Sequence, residues 1–578
     1  MCSIIVTFNE SEPTVLRSMA ESIRYRGPDS FEILDNSRHG IAACRLSIFG
    51  EGPMIYTDPD TGYVVLLNGE IYNYEELWRE LVVKGIRRRS NVEAELIARL
   101  YELFGLHFAS HLKGMFAVAI IDGQRLVLAR DHFGIKPLYY AKSGISILVS
   151  SEIKGILSHP KITPVLNTSA LEETRVFGYV IDQEATFFEG IRQIHPGSVV
   201  AFSDAGGVET KRFGALPPAK FLNGNGYPDY EEACTQVRDH VIKAVERMFR
   251  HGQMEKGIYL SGGVDSSTMA LVARRILGYP IQTFTMADSD ENVDYQAARR
   301  ASQALGTRHH EYFVTADDYW RAVPDYLAHF ESLMAGGVFH IQGGVAYHLL
   351  SQRISQEVKV AFTGEGADEL FGGYYWIYTH PLGFSDRIRN NLREILPNER
   401  MADYVNRLFP EPEDERLYRR NLFDHLLRAG LSNYHLQSVD RSAGAFGFEI
   451  RPLFLDDDLA QYAMELPIEY KTPDKLTTKR ILKDAFRKDF EAAGLGWVHA
   501  RLKYGMPEAV SKIDKVVADQ VVAAIPDDEL KRHPLGDVLG SKMNLLLYDI
   551  FEHIFFRGWD HREGRPPKES LLARVWPE

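Results

Sequence analysis

Three stretches of this 578-residue chain carry side chains whose type and spacing could do chemistry. The first is the start, MCSIIVTFNE, where one of only three cysteines follows the initiator methionine. A lone cysteine ordinarily packs as a small apolar side chain. Once Met1 is removed, however, Cys2 holds both a thiol and a free α-amine, a nucleophile and a base in one residue, because an α-amine titrating near ~8 can accept the thiol proton. The second stretch is GIYLSGGVDSSTMALVARRIL, in which an apolar strand enters Ser261-Gly262-Gly263-Val264-Asp265-Ser266-Ser267 and runs on as a helix. Glycines let backbone N–H groups approach an anion, a helix start adds positive dipole, and three hydroxyls add donors, which suits a phosphate chain. The loop is not a Walker A motif, since GxxxxGK[ST] is absent. Asp265 inside such a cradle implies a cation, Mg²⁺, between it and the phosphates. The third stretch, VKVAFTGEGADELFGG, places Glu365, Asp368 and Glu369 after another apolar strand. Loops at the carboxyl ends of neighbouring strands in a doubly wound sheet converge on one crevice, so Asp368 is expected to share the metal with Asp265.

These groups need rigid supports, and the chain supplies two kinds. Through the first two hundred residues, short strand-like runs (SIIVTF, YVVLLNGE, MFAVAIID, RLVLAR, PLYY, SILVS, GSVVAFS) alternate with turns, and helices EELWRELVVK and NVEAELIARLYELF are inserted between them. In the second helix Val92, Leu96, Leu100, Leu103 and Phe104 recur at helical spacing. This part reads as packed β-sheets covered by helices. Residues 213–230, FGALPPAKFLNGNGYPDY, are rich in Pro, Gly and Asn and read as a linker between domains at 1–212 and 231–578. Beyond it GIYL, IQTFTM and VKVAFTGEG alternate with long helical patterns such as EEACTQVRDHVIKAVERMF, which points to a mostly parallel sheet wound with helices. The last hundred or so residues are helical and charged.

A net charge of −13 with both signs interspersed argues against nucleic acid or an anionic membrane as partner. No run reaches the ~18 apolar residues of a membrane span and no signal peptide opens the chain, so a cytoplasmic protein is expected. Cys2, Cys44 and Cys234 are too few and too scattered for a disulfide framework or a zinc cluster.

SGGVDSS with the downstream GEGADELFGGY resembles the ATP-pyrophosphatase fold of asparagine synthetases and their relatives, the β-lactam-forming synthetases included. The first half resembles the class II glutamine amidotransferase domain, an N-terminal-nucleophile (Ntn) hydrolase. Cys2, RGPDS (26–30), RLSI (45–48), LNGEIYNYEEL (67–77), RDHFGIKPLYY (130–140) and SEIK (151–154) stand in that family's order, and the similarity spans roughly residues 1–510. The resemblance implies an α+β domain built as an αββα sandwich, followed by an α/β domain with a parallel sheet of the adenine nucleotide alpha hydrolase type and a helical C-terminal extension. It also implies a reaction: Cys2 releases ammonia from glutamine, ATP with Mg²⁺ adenylates a substrate carboxylate, and ammonia displaces AMP. Glutamine, ATP and a carboxylic acid are the implied partners, with an ammonia channel between the domains and a homodimer as a further possibility.

Individual residues follow from the same resemblance. Asn68-Gly69 alone is the commonest hairpin-turn signal; the family makes it an oxyanion hole. Arg45 would clamp the glutamine α-carboxylate, with Glu70 and Asn91 holding its α-amine. Leu260, Ser261, Gly262, Gly263, Asp265, Ser266, Ser267, Met286, Gly364, Glu365 and Lys479 would contact ATP or pyrophosphate, with Asp265 and Asp368 on the metal. Lys479 would stabilise the forming acyl-adenylate, and Glu331, in HFESLM, would handle the incoming amine's proton. Arg501 and Lys503, in ARLKYG, match an Arg-x-Lys pair near the site. Three departures stand out: Ser3 replaces the usual Gly and narrows the space beside the nucleophile, Asn91 replaces an Asp, and Ala43-Cys44 replaces a His-Arg pair. After Glu331 the chain reads SLMAGGVFHIQGGVAYHLL, more glycine-rich and apolar than the family's amino-acid pocket, whereas GFEIRPLFLD keeps Glu449 and Arg451 in the usual place. The acceptor is therefore aspartate, the family's commonest, or another carboxylic acid of a specialised pathway. A catalytically silent protein that binds glutamine or nucleotide is the alternative of another class.

Overall fold

The computed structural model describes the whole chain except residues 1, 49–51, 215, 222–226, 251–254, 334–337, 396–398, 475, 503, 563–565 and 577–578. Its first part stacks two six-stranded antiparallel sheets. One runs in the order Ile191–Gln193, Tyr139–Ser143, Ser146–Ser150, Ser3–Phe8, Gly40–Arg45, Ser30–Asp35. The other runs Val208–Arg212, Ser198–Ser203, Arg125–Arg130, Gly114–Ile121, Val64–Ile71, Tyr56–Thr57.

The period of two explains the layering. Ile4, Val6 and Phe8 of SIIVTF face the second sheet and meet Leu66, Ala119 and Leu128 in the core between the sheets. Ile5, on the opposite face, packs with Leu16 and Met19 of the outer helix Pro13–Glu21. On the far side Val65, Leu67 and Val118 pack under Trp78, Leu96 and Leu100 of helices Tyr74–Val83 and Glu93–Phe104. The result is helix, sheet, sheet, helix, the αββα sandwich expected. Leu103, which the helical spacing placed with Leu96 and Leu100, is 46% exposed. It falls on the solvent side of the helix, because the buried stripe is already filled by Leu96, Ile97 and Leu100.

The second part is wound around a five-stranded, all-parallel sheet in the order Arg308–Phe313, Ile281–Ala287, Lys256–Tyr259, Val360–Thr363, Glu449–Pro452. The two edge strands carry no apolar run: RHHEYF is half polar, and EIRP ends at a proline that cannot donate to a ladder. Helices Tyr230–Arg250, Val264–Leu271, Val293–Leu305 and Val338–Ile354 surround the sheet. The late helix Lys542–Phe555 reaches back to the first part, where Phe551 packs edge-on to Phe187 and tilted against Phe188, with ring centroids 6.1 and 5.6 Å away. Among the described residues, no helix is long and apolar enough to cross a membrane.

Candidate active sites

The first site lies at the edge of the sandwich, where Ser3–Phe8 begins beside Val64–Ile71. The Cys2 nitrogen donates to Asn68 Oδ1 at 3.1 Å, and Cys2 Sγ lies 3.9 Å from the Leu46 carbonyl oxygen. Asn68 is buried, and its other amide atom, Nδ2, has no hydrogen-bond partner among the described residues. A buried donor left unpaired costs about 1–3 kcal/mol, so the site holds an N–H ready for an oxygen. Gly69 follows with φ +138°, and a Cβ there would fall 1.9 Å from the Met115 carbonyl oxygen, so only glycine fits beside the Asn68 amide. Burial pushes the Cys2 thiol above its ordinary value, while the Leu46 backbone and Arg45 pull it down.

A cavity of about 80 Å³ opens beside Cys2, and Arg45, Gly69, Glu70, Asn91, Glu93 and Glu449 are among its walls. Every glutamine-contacting residue expected from the sequence except the buried Asn68 therefore lines one space. Two findings refine the picture. Ser3 does not line it: the residue is buried in the register pair Ser3–Cys44, where its hydroxyl accepts the Cys44 N–H at 3.2 Å. Asn91 Oδ1 already accepts from Arg88 at 2.8 Å.

Glu93 and Glu449 were not singled out as glutamine-site residues. Glu93 accepts the Ile71 N–H at 2.7 Å, and burial next to Glu70 drives its carboxyl well above the ordinary range. Burial likewise lifts Glu70 to about 7, against the pull of Arg451. Glu449 behaves oppositely: burial would raise it, but Lys136 and Arg451 outweigh that and hold it at about 2. The signal for Glu93 was its place two residues after Asn91 at a helix start; nothing in the sequence reveals that Glu449 crosses to this cavity.

The second site forms at the carboxyl ends of the parallel strands. Lys256–Tyr259 and Val360–Thr363 are hydrogen-bonded neighbours, so the loops that follow them converge. In the first loop Gly263 N–H donates to Ser261 Oγ at 3.3 Å, the Ser261 and Ser266 hydroxyls lie 3.2 Å apart, and the buried Ser267 Oγ has no hydrogen-bond partner among the described residues. Gly262, at φ +69°, passes so close to the helix Val293–Leu305 that a Cβ would lie 2.5 Å from the Ala297 backbone.

Lys479, almost wholly buried and itself left-handed at φ +51°, places Nζ 2.5 Å from Asp265 and 2.6 Å from Asp368. Its ammonium thus occupies the space between two carboxylates delivered by separate loops. The adjoining cavity, about 110 Å³, is lined by Leu260, Ser261, Asp265, Ser266, Met286, Gly364 and Glu365, all expected ATP contacts, by Asp368, the expected second metal ligand, and by Asp294 and Tyr504. Gly262, Gly263 and Ser267 shape the loop behind this wall. Arg501 pairs with Asp294 at 2.5 Å and would lie 3.8 Å from a Cβ on Gly263, which puts it beside the loop. Lys503 lies outside the described residues.

No cluster of three or more His, Cys, Asp or Glu side chains among the described residues could hold a metal by itself. Two hard carboxylates nevertheless suit a Mg²⁺ ion whose remaining oxygen ligands come from a phosphate chain, provided the Lys479 ammonium moves from between them.

Glu331 stands apart from both cavities. Its carboxylate accepts the backbone N–H groups of Ile153 at 2.8 Å and Lys154 at 2.6 Å and pairs with Arg441 at 3.0 Å. The SEIK motif of the sandwich is thus clasped by a residue of the second part. Glu331 belongs to a buried chain of charges: Arg441 reaches Glu152 at 3.1 Å, Glu152 reaches Arg26 at 2.6 Å, and Arg26 reaches Asp440 at 2.9 Å. Lys136 stands 3.8 Å from Asp440 and 3.6 Å from Glu449, and Arg451 joins Glu449 at 2.8 Å to Glu70 at 3.1 Å. Several short sequence motifs of the first half serve this scaffold rather than a ligand; in RDHFGIK, for example, the buried Asp131 accepts backbone N–H groups of Phe116, Phe133, Ile135 and Lys136.

Comparison with known proteins agrees with this division. Residues 1–214 match the glutamine amidotransferase domain family and residues 236–510 the asparagine synthase family. Glutamine-hydrolyzing asparagine synthetase 1 of Bacillus subtilis (strain 168) is 29% identical over 68% of this chain; the match spans 62% of that relative, less than two thirds of its length. Glutamine-hydrolyzing asparagine synthetase 3 of the same organism is 28% identical over 82% of this chain and 81% of its own, and the Gallus gallus enzyme is 28% identical over 84% and 81%. The chain thus joins a glutamine amidotransferase domain to an asparagine synthase domain in tandem.

Proposed function

We propose that the protein couples glutamine hydrolysis in a domain spanning residues 1–212 to ATP-dependent amidation of a carboxylic acid in a domain spanning 231–578, with 213–230 as the linker. The reading is carried by one observation, the meeting of Asp265 and Asp368 at Lys479 beside the glycine–serine loop. Once Met1 is removed, the Cys2 thiol passes its proton to its own α-amine and attacks the glutamine side-chain carbonyl. Asn68 Nδ2 and the Gly69 N–H then donate to the oxygen that becomes negative. Arg45 suits the glutamine α-carboxylate. The α-ammonium faces Glu70, Asn91 and Glu449, and the ionised Glu449 makes up for the charge that Asn91 lacks. Ammonia leaves, and water releases glutamate from the thioester.

In the second domain the substrate carboxylate oxygen attacks the α-phosphorus of ATP, the bond to the β-phosphate breaks, and pyrophosphate departs toward the Ser261–Ser267 loop. Ammonia then attacks the acyl carbon and AMP leaves, so acid, ammonia and ATP give amide, AMP and pyrophosphate. Asp265 and Asp368 would hold Mg²⁺, which when bound neutralises triphosphate charge. Lys479 stabilises the charge that develops as the acyl-adenylate forms. Glu331, fully engaged with SEIK and Arg441, acts on the incoming nitrogen only if these contacts open.

The test is release of AMP and pyrophosphate from ATP and Mg²⁺ in the presence of aspartate and other carboxylic acids. Cys2→Ala is expected to abolish glutamine use and keep activity with ammonium. Normal glutamine consumption by that variant would overturn the nucleophile, and formation of ADP in place of AMP would overturn the synthetase chemistry.

A further inference from the structure

Beside the nucleotide cavity lies a second space of about 410 Å³, against about 110 Å³ for the nucleotide cavity itself. The two share Tyr347, Glu365, Asp368, Gly505 and Met506, so an acid held in the larger space presents its carboxylate to the nucleotide. Its volume lies in the range of about 300–1,000 Å³ that takes drug-sized ligands. The walls are aromatic and aliphatic: Phe177 and Tyr179 come from the first domain, and Tyr375, Ile377, Phe384 and Leu426 from the second.

The polar atoms around it are largely committed to one another. Tyr179 Oη bonds His425 Nε2 at 2.7 Å, Tyr347 Oη donates to Glu365 at 2.5 Å, and Tyr374 Oη donates to Glu369 Oε1 at 2.6 Å. These rings therefore offer faces rather than hydroxyls. A buried carboxylate oxygen is an exception. Glu369 Oε2, in a side chain that is 1% exposed, has no hydrogen-bond partner among the described residues, and Glu369 directly follows Asp368 at the junction of the two spaces.

An aspartate acceptor needs a cation for its second carboxylate near the nucleotide. The lining arginine, Arg387, sets its guanidinium over the Phe384 ring at 5.0 Å, Lys479 is directed to Asp265, Asp368 and the phosphates, and His435 faces Glu365 at 3.6 Å.

We propose that the acceptor is a carboxylic acid bearing an aromatic or similarly bulky apolar body and, within a few bonds of the carboxyl, a hydrogen-bond donor that meets Glu369. This rests on the amidation reading above and names its substrate class. The body fills the aromatic space, the carboxylate oxygen attacks ATP, and the donor occupies the unpaired oxygen.

The test supplies ammonium chloride as nitrogen source, ATP and Mg²⁺, and measures pyrophosphate and AMP with L-aspartate, L-phenylalanine, L-tryptophan, 3-phenyllactate and 3-phenylpropanoate. The donor-bearing aryl acids are expected to exceed aspartate at least tenfold in kcat/KM, and 3-phenylpropanoate, which lacks the donor, to fall at least threefold below phenylalanine. A higher kcat/KM for aspartate than for any aryl acid overturns this inference and leaves the amidation reading standing; no AMP with any acid overturns that reading as well. Gly430 lines the same space, and a Cβ there would lie 3.2 Å from the Tyr179 ring. Gly430→Leu, checked for an unchanged melting midpoint, is expected to lower aryl-acid kcat/KM at least tenfold. If it does not fold, Phe384→Ala is expected to lower it at least threefold, and unchanged aryl-acid kinetics in the folded variant refutes the placement.

Discussion

Arg451 tests how the two domains are joined. Its guanidinium is fully buried on the edge strand of the parallel sheet, 2.8 Å from Glu449, 3.1 Å from Glu70 of the sandwich and 3.2 Å from the Met248 carbonyl oxygen. Arg451→Met keeps an apolar stem but leaves Glu70 and Glu449 without the guanidinium that joins them, Glu449 keeping only Lys136 at 3.6 Å. Removing one partner of a buried pair costs about 3–5 kcal/mol, and at ~2–4 °C per kcal/mol for domains of this size that lowers the melting midpoint by roughly 6–20 °C. The loss has a pH signature. Glu70 already sits at about 7 because burial outweighs the pull of Arg451, and without that pull it rises further. At pH 6 Glu70 is protonated in the folded wild type and variant alike, so its titration adds nothing to their difference; at pH 8 the wild-type carboxylate ionises beside Arg451 while the variant must keep its proton, so the penalty relative to wild type grows with pH. Calorimetry at pH 6 and 8 reads both effects. Arg451→Met combined with Glu70→Gln is expected to regain at least ~1.5 kcal/mol, within the usual coupling of contacting pairs, and to lose the pH dependence. A single variant melting within a few degrees of wild type at pH 8, or single effects that simply add, would refute the reasoning.

Asn68→Asp keeps an oxygen for the Cys2 nitrogen but removes the unpaired N–H, so glutamate release should fall about 10²–10³-fold while ammonium-driven pyrophosphate release is unchanged. Lys479→Met leaves Asp265 and Asp368 without their shared cation; AMP formation should drop by at least about 10²-fold, the scale of one lost electrostatic contact in a transition state, with glutamine hydrolysis retained. Lys471 is buried over the Phe423 ring at 5.3 Å, its Nζ has no hydrogen-bond partner among the described residues, and burial pulls it down to about 7. Below pH 7 both states carry the proton and the folded one bears the cost of burying it, a cost that fades as pH climbs toward the unfolded value. Lys471→Met should therefore raise the unfolding free energy most near pH 6, by a few kcal/mol at about 1.4 kcal/mol per unit, with the advantage gone near pH 10, as denaturant melts at the two pH values would read.

What could be read from the sequence was whatever local chemistry encodes. SIIVTF and RLVLAR alternate or run apolar between turn residues, and both are strands; SGGVDSS and GEGADE follow apolar strands, and both end at one crevice. The strands Ser30–Asp35 and Gly40–Arg45 escaped because their pattern is interrupted by RHG and by a cysteine–arginine pair. Glu331 was legible as a residue and not as a geometry. Its left-handed φ of +56° and its grip on the SEIK backbone, 177 or more residues away, depend on how the domains dock. The large aromatic space beside the nucleotide was equally invisible, since Phe177 and Tyr179 meet Tyr375 and Phe384 only across the domain boundary.

That docking explains why so many charges are buried. Arg26, Glu152, Lys136, Arg441 and Arg451 are each almost wholly enclosed, and each pairs across the junction or with a residue that does. Taking one ion out of water costs several kcal/mol, and a pair recovers that cost only with close, well-aligned partners. A hydrophobic seam would have served adhesion alone, and could slide. A chain of ionic contacts of 2.6–3.8 Å from Glu70 through Glu449 and Asp440 to Glu331 favours one register of sandwich against parallel sheet. Neither half can keep these groups in place alone, because each would expose or orphan the other's partners. The cavity beside Cys2 itself contains Glu449 from the second part, so on the proposed function the pocket for the nitrogen donor is completed only when the synthetase part is in position.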